Sequence, residues 1–398
     1  MRILRRFGYA LPLSAVAAIL AGCSGGTTAP PLTPFTTSLG TPMRQASQLV
    51  THNVGLGKVV QTKNHTQIFG FDVNQNGSDG VLATAFDVET FDQTSGTITG
   101  TFPQRNPSGT SYLVDGIFAG DVALVTRYVI PKGKIFPKRS YEVMNPVGAK
   151  KFTGKWTAPL GVLVDQIGVN QTTTTSALFA TEKKGQPDIV VTDVRANKLI
   201  KLLHLDPNLF VGGNIPQFAQ NYKTNQAVIA LSPDGGAVQG AAPVNVLIDL
   251  KTGKQTQFNG LNNGFFHAGY VNGVAVDSTT NVAATTTELN AQVEFYDLAK
   301  QTGTFAQLPC TNDVAQFNSA TGLASDPVHG LFLVAEPNYA CAGGGSAILV
   351  YDEKGNLVET LTGFKFSISE PAPVLNPGTR TGFAVGGSGF TQLQQFFY

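Results

Sequence analysis

An all-β fold, a β-propeller of seven four-stranded blades, is what this sequence predicts, on three observations. A unit of roughly 50 residues recurs from about residue 50 to 398. Apolar runs are broken roughly every 8 to 12 residues by Gly, Asp, Asn or Pro. The chain holds 44 glycines and only 13% charged residues, a balance that suits short strands and tight turns better than amphipathic helices. No helical period persists for three turns.

The repeat is clearest in two stretches. GVAVDSTTNVAATTTELNAQVEFYDLAKQTGTFAQL begins at Gly273, and GLASDPVHGLFLVAEPNYACAGGGSAILVYDEKGNLVETLTGF begins at Gly322. Each reads as an inner strand, an Asp-containing turn, a second strand, a third strand ending in Tyr-Asp, a turn and an outer strand. Anchoring on the inner strand places equivalent residues at Phe69, Ile117, Ile167, Ile229, Val274, Leu323 and Pro373, with spacings of 48, 50, 62, 45, 49 and 50. A unit of four strands cannot bury both its faces alone, so neighbours must stack, and radial stacking makes a propeller. Six or eight blades would follow from one misread unit. The last unit supplies three strands from Pro371 onward, and LVTHNVGLGKVVQT, ahead of the first inner strand, supplies the fourth. An N-terminal strand is therefore expected to close the C-terminal blade.

SPDGG, SDPVHG, VYDEKGNLV and LIDLKTGK resemble the repeats of bacterial YVTN/YncE-like and NHL-type propellers, also seen in lactonase-like propellers. The resemblance covers most of residues 50 to 398 and implies the fold. The YVTN tetrapeptide itself is absent, and propellers host many unrelated functions.

Ahead of the repeats, Arg2, Arg5 and Arg6 precede an apolar stretch from about Phe7 to Leu20, the layout of a secretory signal over residues 1–22. Leu20-Ala21-Gly22-Cys23 resembles the lipobox of bacterial lipoproteins, which implies cleavage before Cys23, a diacylglycerol thioether on its sulfur and an acylated amine. A plain signal peptide is the alternative. Ser24 in the next position resembles outer-membrane sorting in Gram-negative bacteria. Residues 23–47 are small, polar and Pro-rich and read as a flexible tether, leaving 48–398 as one propeller domain. Localisation in the bacterial cell envelope with a lipid-mediated membrane contact follows. Cys310 and Cys341 remain, and an even remainder in an oxidising compartment suggests one disulfide, with two buried thiols as the alternative. Without the three arginines the 27 basic residues fall to 24 against 26 acidic, so the electrostatic footprint of a nucleic-acid partner is lacking.

Two constellations carry chemistry. In DVNQNGSDG, Asp72, Asn74, Asn76 and Asp79 alternate oxygen ligands around a glycine turn, as calcium loops do, although no bidentate Glu follows; the plain reading is the turn between the first and second strands. Just before the inner strands lie Gln67, Asp115, Asp165, Ala227, Asn272 and Thr321, with Glu370 one position off. Carboxylates and amides converging on a channel mouth bind a divalent cation that polarises a lactone or ester carbonyl, or they simply line a wet channel. The motifs demand no cofactor, and calcium is the ion either set would take. His267, in NGFFHAGY, sits in a loop entering the fifth unit, as general base or as packing. The long connection Asp206–Asn225 accounts for the 62-residue spacing, and its Phe210, Phe218 and Tyr222 are candidate contacts for a partner. No GxSxG, P-loop or complete GxGxxG is present. Two functions are expected from this: a non-catalytic envelope scaffold for a protein or glycan partner, or a cation-dependent lactonase-like hydrolase using Asp115, Asp165, Asn272 and Glu370.

Overall fold

Apolar runs separated by turns rich in Asp, Asn and Gly fold into strands, and the strands pair in fours. The computed structural model describes residues 55–398 apart from 76, 85, 104–110, 120–121, 130–137, 145–151, 158–161, 170–175, 184–185, 194–197, 206–215, 232–243, 260–270, 288–291, 310–321, 340–344 and 369–371. After β1 (Gly55–Gln61), the first sheet is β2 (Ile68–Val73), β3 (Asp79–Thr84), β4 (Asp87–Asp92) and β5 (Ile98–Pro103). The second is β6 (Ser111–Ala119), β7 (Val122–Val129), β8 (Lys138–Met144) and β9 (Phe152–Thr157). The third is β10 (Val162–Val169), β11 (Ser176–Lys183), β12 (Gln186–Asp193) and β13 (Lys198–His204). The fourth is β14 (Pro216–Asn221), β15 (Gln226–Leu231), β16 (Val244–Asp249) and β17 (Gln255–Asn259). The fifth is β18 (Val271–Asp277), β19 (Val282–Thr287), β20 (Gln292–Asp297) and β21 (Thr302–Gln307). The sixth is β22 (Gly322–Asp326), β23 (Leu331–Tyr339), β24 (Gly345–Asp352) and β25 (Leu357–Leu361). In the seventh, β26 (Val374–Asn376), β27 (Thr381–Gly386) and β28 (Gln392–Phe397) are joined by β1, which pairs with β28.

First strands of successive sheets touch: β2 on β6, β6 on β10, and so on through β22 on β26, and β26 touches β2. The core lies between sheets. Phe71, Leu82 and Phe91 of the first sheet pack with Phe383, Val385 and Leu393 of the seventh. Phe295 of the fifth meets Phe332 and Tyr351 of the sixth, at centroid distances of 5.6 and 5.9 Å. Ile189 and Leu203 of the third meet Ile229 and Ile248 of the fourth. Because successive side chains point to opposite faces and both faces are covered, middle strands are buried throughout, as in TGFAVG of β27. That is why LFLVA and AILVY read as unbroken apolar runs instead of alternating.

The structure corrects the repeat register at the fourth unit. Ile229 lies in β15, the second strand of its sheet, and so does Ala227, which therefore has no place among the residues preceding first strands. The first strand is β14, PQFAQN, inside what the sequence presents as a long connection. Phe218 falls in that strand and Tyr222 in the turn after it, so the two do not belong to one loop with Phe210. Likewise SPDGG follows a second strand, and the turn equivalent to SDPVHG is NYKTN. PQFAQN was illegible because it is short and polar; pairing with β15 along its whole length makes it a strand.

Five of the seven third strands end on an Asp, as the sequence predicts for the repeat, and in four of them its carboxylate caps the next turn. Asp92 accepts from Ser95 N at 2.6 Å, Asp249 from Thr252 N at 2.7 Å, Asp297 from Lys300 N at 2.9 Å and Asp352 from Asn356 N at 2.8 Å. The turn amide of Ser95 holds the Asp92 carboxyl below its usual range, and that of Thr252 does the same for Asp249.

The seventh sheet is held together across most of the chain's length. β1 carries a bulge between Leu56 and Val59, and two buried glutamines of β28 satisfy the backbone it frees. Gln394 Nε2 donates to Gly57 O at 3.0 Å and Lys58 O at 3.3 Å, and Lys58 N donates to Gln395 Oε1 at 3.2 Å.

One close approach requires glycine. Gly80 faces Phe91 across β3 and β4, and a Cβ there would stand 2.1 Å from the ring. Gly80→Ala is expected to cost about 2 kcal/mol or more, because the ring is locked against Phe383 at 5.3 Å, measured as a fall in the urea midpoint. Burial, opposed by the Lys63 amide that donates to both oxygens at 3.1 and 3.2 Å, raises the Glu89 carboxyl above its ordinary 4.5. A raised acid binds its proton more tightly when folded, so its contribution falls as pH rises from 4.5 through the folded value. Glu89→Gln should remove that decline, so the stability of the variant relative to wild type rises between pH 4 and pH 7.

Candidate interaction face

Antiparallel pairing puts the turns after first and third strands at one end of each sheet and the remaining connections at the other. The turn end is tightly organised. A buried Asn or Asp ends or directly follows five of the seven first strands: Asn74, Asn221, Asp277, Asp326 and Asn376. In three of them one side-chain oxygen caps the turn's own amides, Asn221 on Lys223 and Thr224, Asp277 on Thr279 and Thr280, Asp326 on Val328 and His329. Asn221 and Asp326, and likewise Asn376, also bond to the next sheet. Asn221 Nδ2 donates to Asn281 Oδ1 at 2.7 Å, and Asn376 Nδ2 donates to Gln93 Oε1 at 2.9 Å. Asp326 Oδ2 accepts from the Tyr398 hydroxyl at 2.9 Å, with His329 Nδ1 at 2.7 Å. Burial, with the neighbouring Asp326 charge, pushes the Tyr398 phenol well up, so it remains a donor at any ordinary pH. The last turn residue has positive φ at Asn225, Asn281, Gly330 and Arg380, at 56°, 59°, 69° and 51°.

DVNQNGSDG is the turn of this kind in the first sheet. Asp72 lies in β2 with Oδ1 on the amide of Val73 at 2.8 Å, Asn74 opens the turn, and Asp79 begins β3; Asn76 lies outside the described residues. Burial, then the nearby Asp92, raises the Asp79 carboxyl. The turn is filled by Gln93, whose Nε2 donates to Asn74 O at 2.9 Å, Gly77 O at 3.1 Å and Asp79 O at 2.9 Å. Those carbonyls face an amide nitrogen, and a calcium ion at that point must displace it. Gln93 escaped the sequence reading because it lies two strands away. The signal for the turns themselves was present, an Asx followed four residues later by Asn, Gly or Arg in NYKTN, DSTTN, DPVHG and NPGTR.

The opposite end carries the longer segments. The connections before β14, β16, β18, β22 and β26 run to 11, 12, 11, 14 and 12 residues, whereas the turns at the other end of the same sheets hold four or five. Gln67 stands immediately before β2, half-buried. Asp115 is in β6, Asp165 in β10 and Asn272 in β18. Pairing with the second strand slips near this end in four first strands: at Phe69 in β2, Val114 in β6, Asp165 and Gln166 in β10, and Asn272 in β18. Thr321, Glu370, His267, Phe210, Cys23, Cys310 and Cys341 lie outside the described residues. Tyr222 sits at the turn end beside Ser278, and its phenol is raised by burial while the Ser278 hydroxyl lowers it. Among the described residues no three His, Cys, Asp or Glu gather into a metal centre.

No family model matches this sequence, and no curated protein matches it. Solved structures resemble it in fold. Raptor of Chaetomium thermophilum superimposes with a TM-score of 0.60 and 11% identity over 86% of this chain, which spans 29% of that larger protein. U3-55K gives 0.62 at 10% identity over 86% of this chain and 98% of its own, and the WD40 repeats of RRP9 give 0.61 at 10% over 85% and 96%. The fold is thus all-β, of four-stranded antiparallel sheets of the β-propeller kind.

Gln93→Ala should cost about 3 kcal/mol, since three buried carbonyls and the Asn376 amide lose their partner. Gln93→Glu keeps the acceptor for Asn376 but sets a carboxylate against the carbonyls. Its deficit should therefore be larger at pH 7 than at pH 4, where protonation restores a donor, read from urea midpoints at the two pH values.

Proposed function

We propose that this chain is a lipid-anchored protein of the bacterial cell envelope. Its seven sheets form the blades of one closed propeller, and its long-connection end binds a protein or glycan partner without chemistry of its own. The observation that carries the reading is the asymmetry of the two ends. In the fourth to seventh sheets the turns at one end hold four or five residues, and Asn221, Asp326 and Asn376 there are engaged within the fold; at the other end, connections of 11 to 14 residues enter these sheets or join their strands. Rigid sheets carrying variable connections at one end are the usual arrangement of a binding site on a scaffold. Contact of β26 with β2, and pairing of β1 with β28, support closure. Leu20-Ala21-Gly22-Cys23 supports the anchor, and multiple acyl chains make such an anchor stable.

Two measurements test this. Expressed in a Gram-negative host, wild type should take up labelled palmitate and sediment with membranes, and Cys23→Ser should do neither. A photo-crosslinking residue at His267 or Phe210 should give an envelope adduct, whereas one at Lys300 or Lys354, on the turn end, should give none. The reverse pattern would sink the proposed face.

A second reading, a cation-dependent lactonase-like hydrolase, draws on one observation. Asp165 and Asn272 fall where first strands break register, and such bulges re-aim side chains beside active sites. It requires calcium-dependent lactone hydrolysis that Asp165→Asn abolishes.

A further inference from the structure

At three described junctions the buried Asn or Asp that ends a first strand bonds to the next sheet; between the fifth and sixth sheets Ser325 Oγ donates to Val276 O at 2.9 Å, but Asp277 has no such bond. Asn221 reaches Asn281, the positive-φ residue of the next sheet's turn. The residue in that place opposite Asp277 is Gly330, which has no side chain to offer. Asp277 is fully buried, its Oδ1 holds Thr279 N and Thr280 N at 2.6 and 3.1 Å, and its Oδ2 has no hydrogen-bond partner. A buried carboxylate oxygen without a partner is costly.

The space beside it is bounded by a second carboxylate. The point where a Cβ of residue 330 would stand is 3.9 Å from Asp277 Oδ2 and 3.4 Å from Glu353 Oε2, and apart from residues 329–331 no other atom lies within 4 Å of it. Two acidic oxygens therefore flank a gap at the junction, one of them buried and unsatisfied. Lys300, the fifth sheet's turn ammonium, is engaged elsewhere, on Asp297 at 2.8 Å.

We propose that a calcium-type divalent cation bridges Asp277 and Glu353 in the gap left by Gly330 and serves as the inter-sheet latch that side chains provide at the neighbouring junctions. Calcium takes oxygen ligands at about 2.3–2.6 Å, so an ion at that point must move about 1.5 Å toward Asp277 Oδ2, and the partly exposed Glu353 has the free torsions to follow it. Water completes the shell. Two carboxylates and water make a weak site, of the roughly 10⁻⁴–10⁻³ M class found in extracellular modules. The proposal stands independently of what the opposite end binds.

The test is thermal unfolding of the full chain in chelator-treated buffer, with 10 mM calcium chloride against sodium chloride of equal ionic strength. Wild type should gain about 2 °C from calcium. Glu353→Gln should lose most of that gain. Gly330→Asn, an exchange the left-handed turn tolerates as it does Asn225 and Asn281, should be stabilised without calcium and indifferent to it. Equilibrium dialysis with labelled calcium should show one ion fewer per chain in both variants than in wild type. If calcium and magnesium leave wild type unmoved, or move both variants as much as wild type, the gap holds only water and the proposal is overturned.

Discussion

The buried Asn or Asp at the end of a first strand is the interaction on which the rest of the structure depends, because at Asn221, Asp326 and Asn376 one side chain serves two sheets. A four-stranded sheet with two apolar faces gains nothing by folding alone; it needs a neighbour on each side. Apolar contact between Phe295 and Phe332, or between Phe91 and Phe383, supplies the attraction but fixes little of the relative slide. The bonds of Asn221 to Asn281, Asp326 to Tyr398 and Asn376 to Gln93 fix it, since a slip would leave buried polar atoms unpaired.

Gln93 joins two of these tasks. It closes the DVNQNGSDG turn from within, receives the Asn376 amide, and offers its own carbonyl to Gln395 Nε2 at 2.9 Å. Gln395 in turn holds β1 through Lys58, across a sequence separation of 337 residues. A short chain of amides thus links the first sheet, the seventh sheet and the strand that completes it. Contacts of such separation carry a large loop-closure cost unless the intervening sheets have already brought their ends together.

Much of this was legible in local sequence, and the reason is local chemistry. An Asp at the end of a third strand caps the turn two to four residues on, so Tyr296-Asp297 and Tyr351-Asp352 announce their turns without help from the rest of the chain. Four strands per unit and the pairing of an N-terminal strand with the last unit followed from counting such signals. β14 did not, because PQFAQN has neither the apolar run nor the β-branched residues that mark a strand by composition; it is a strand because β15 offers it a ladder. For the same reason Ala227 and Ile229, apolar and flanked by a turn signal, stood in for an inner strand they do not form.

The candidate site divides along the same line. Residue identity alone determined the unit length and the turn chemistry, since each depends on neighbours a few positions away. Tertiary structure decided which polar atoms find partners. Gln93 takes the carbonyls of a turn two strands distant, and Asp277 faces a glycine on another sheet, where its relatives face an asparagine or a tyrosine. The bonds of Asn221 to Asn281 and of Asn376 to Gln93 join residues 60 and 283 positions apart on different sheets, and no periodicity within one unit encodes which of them will meet.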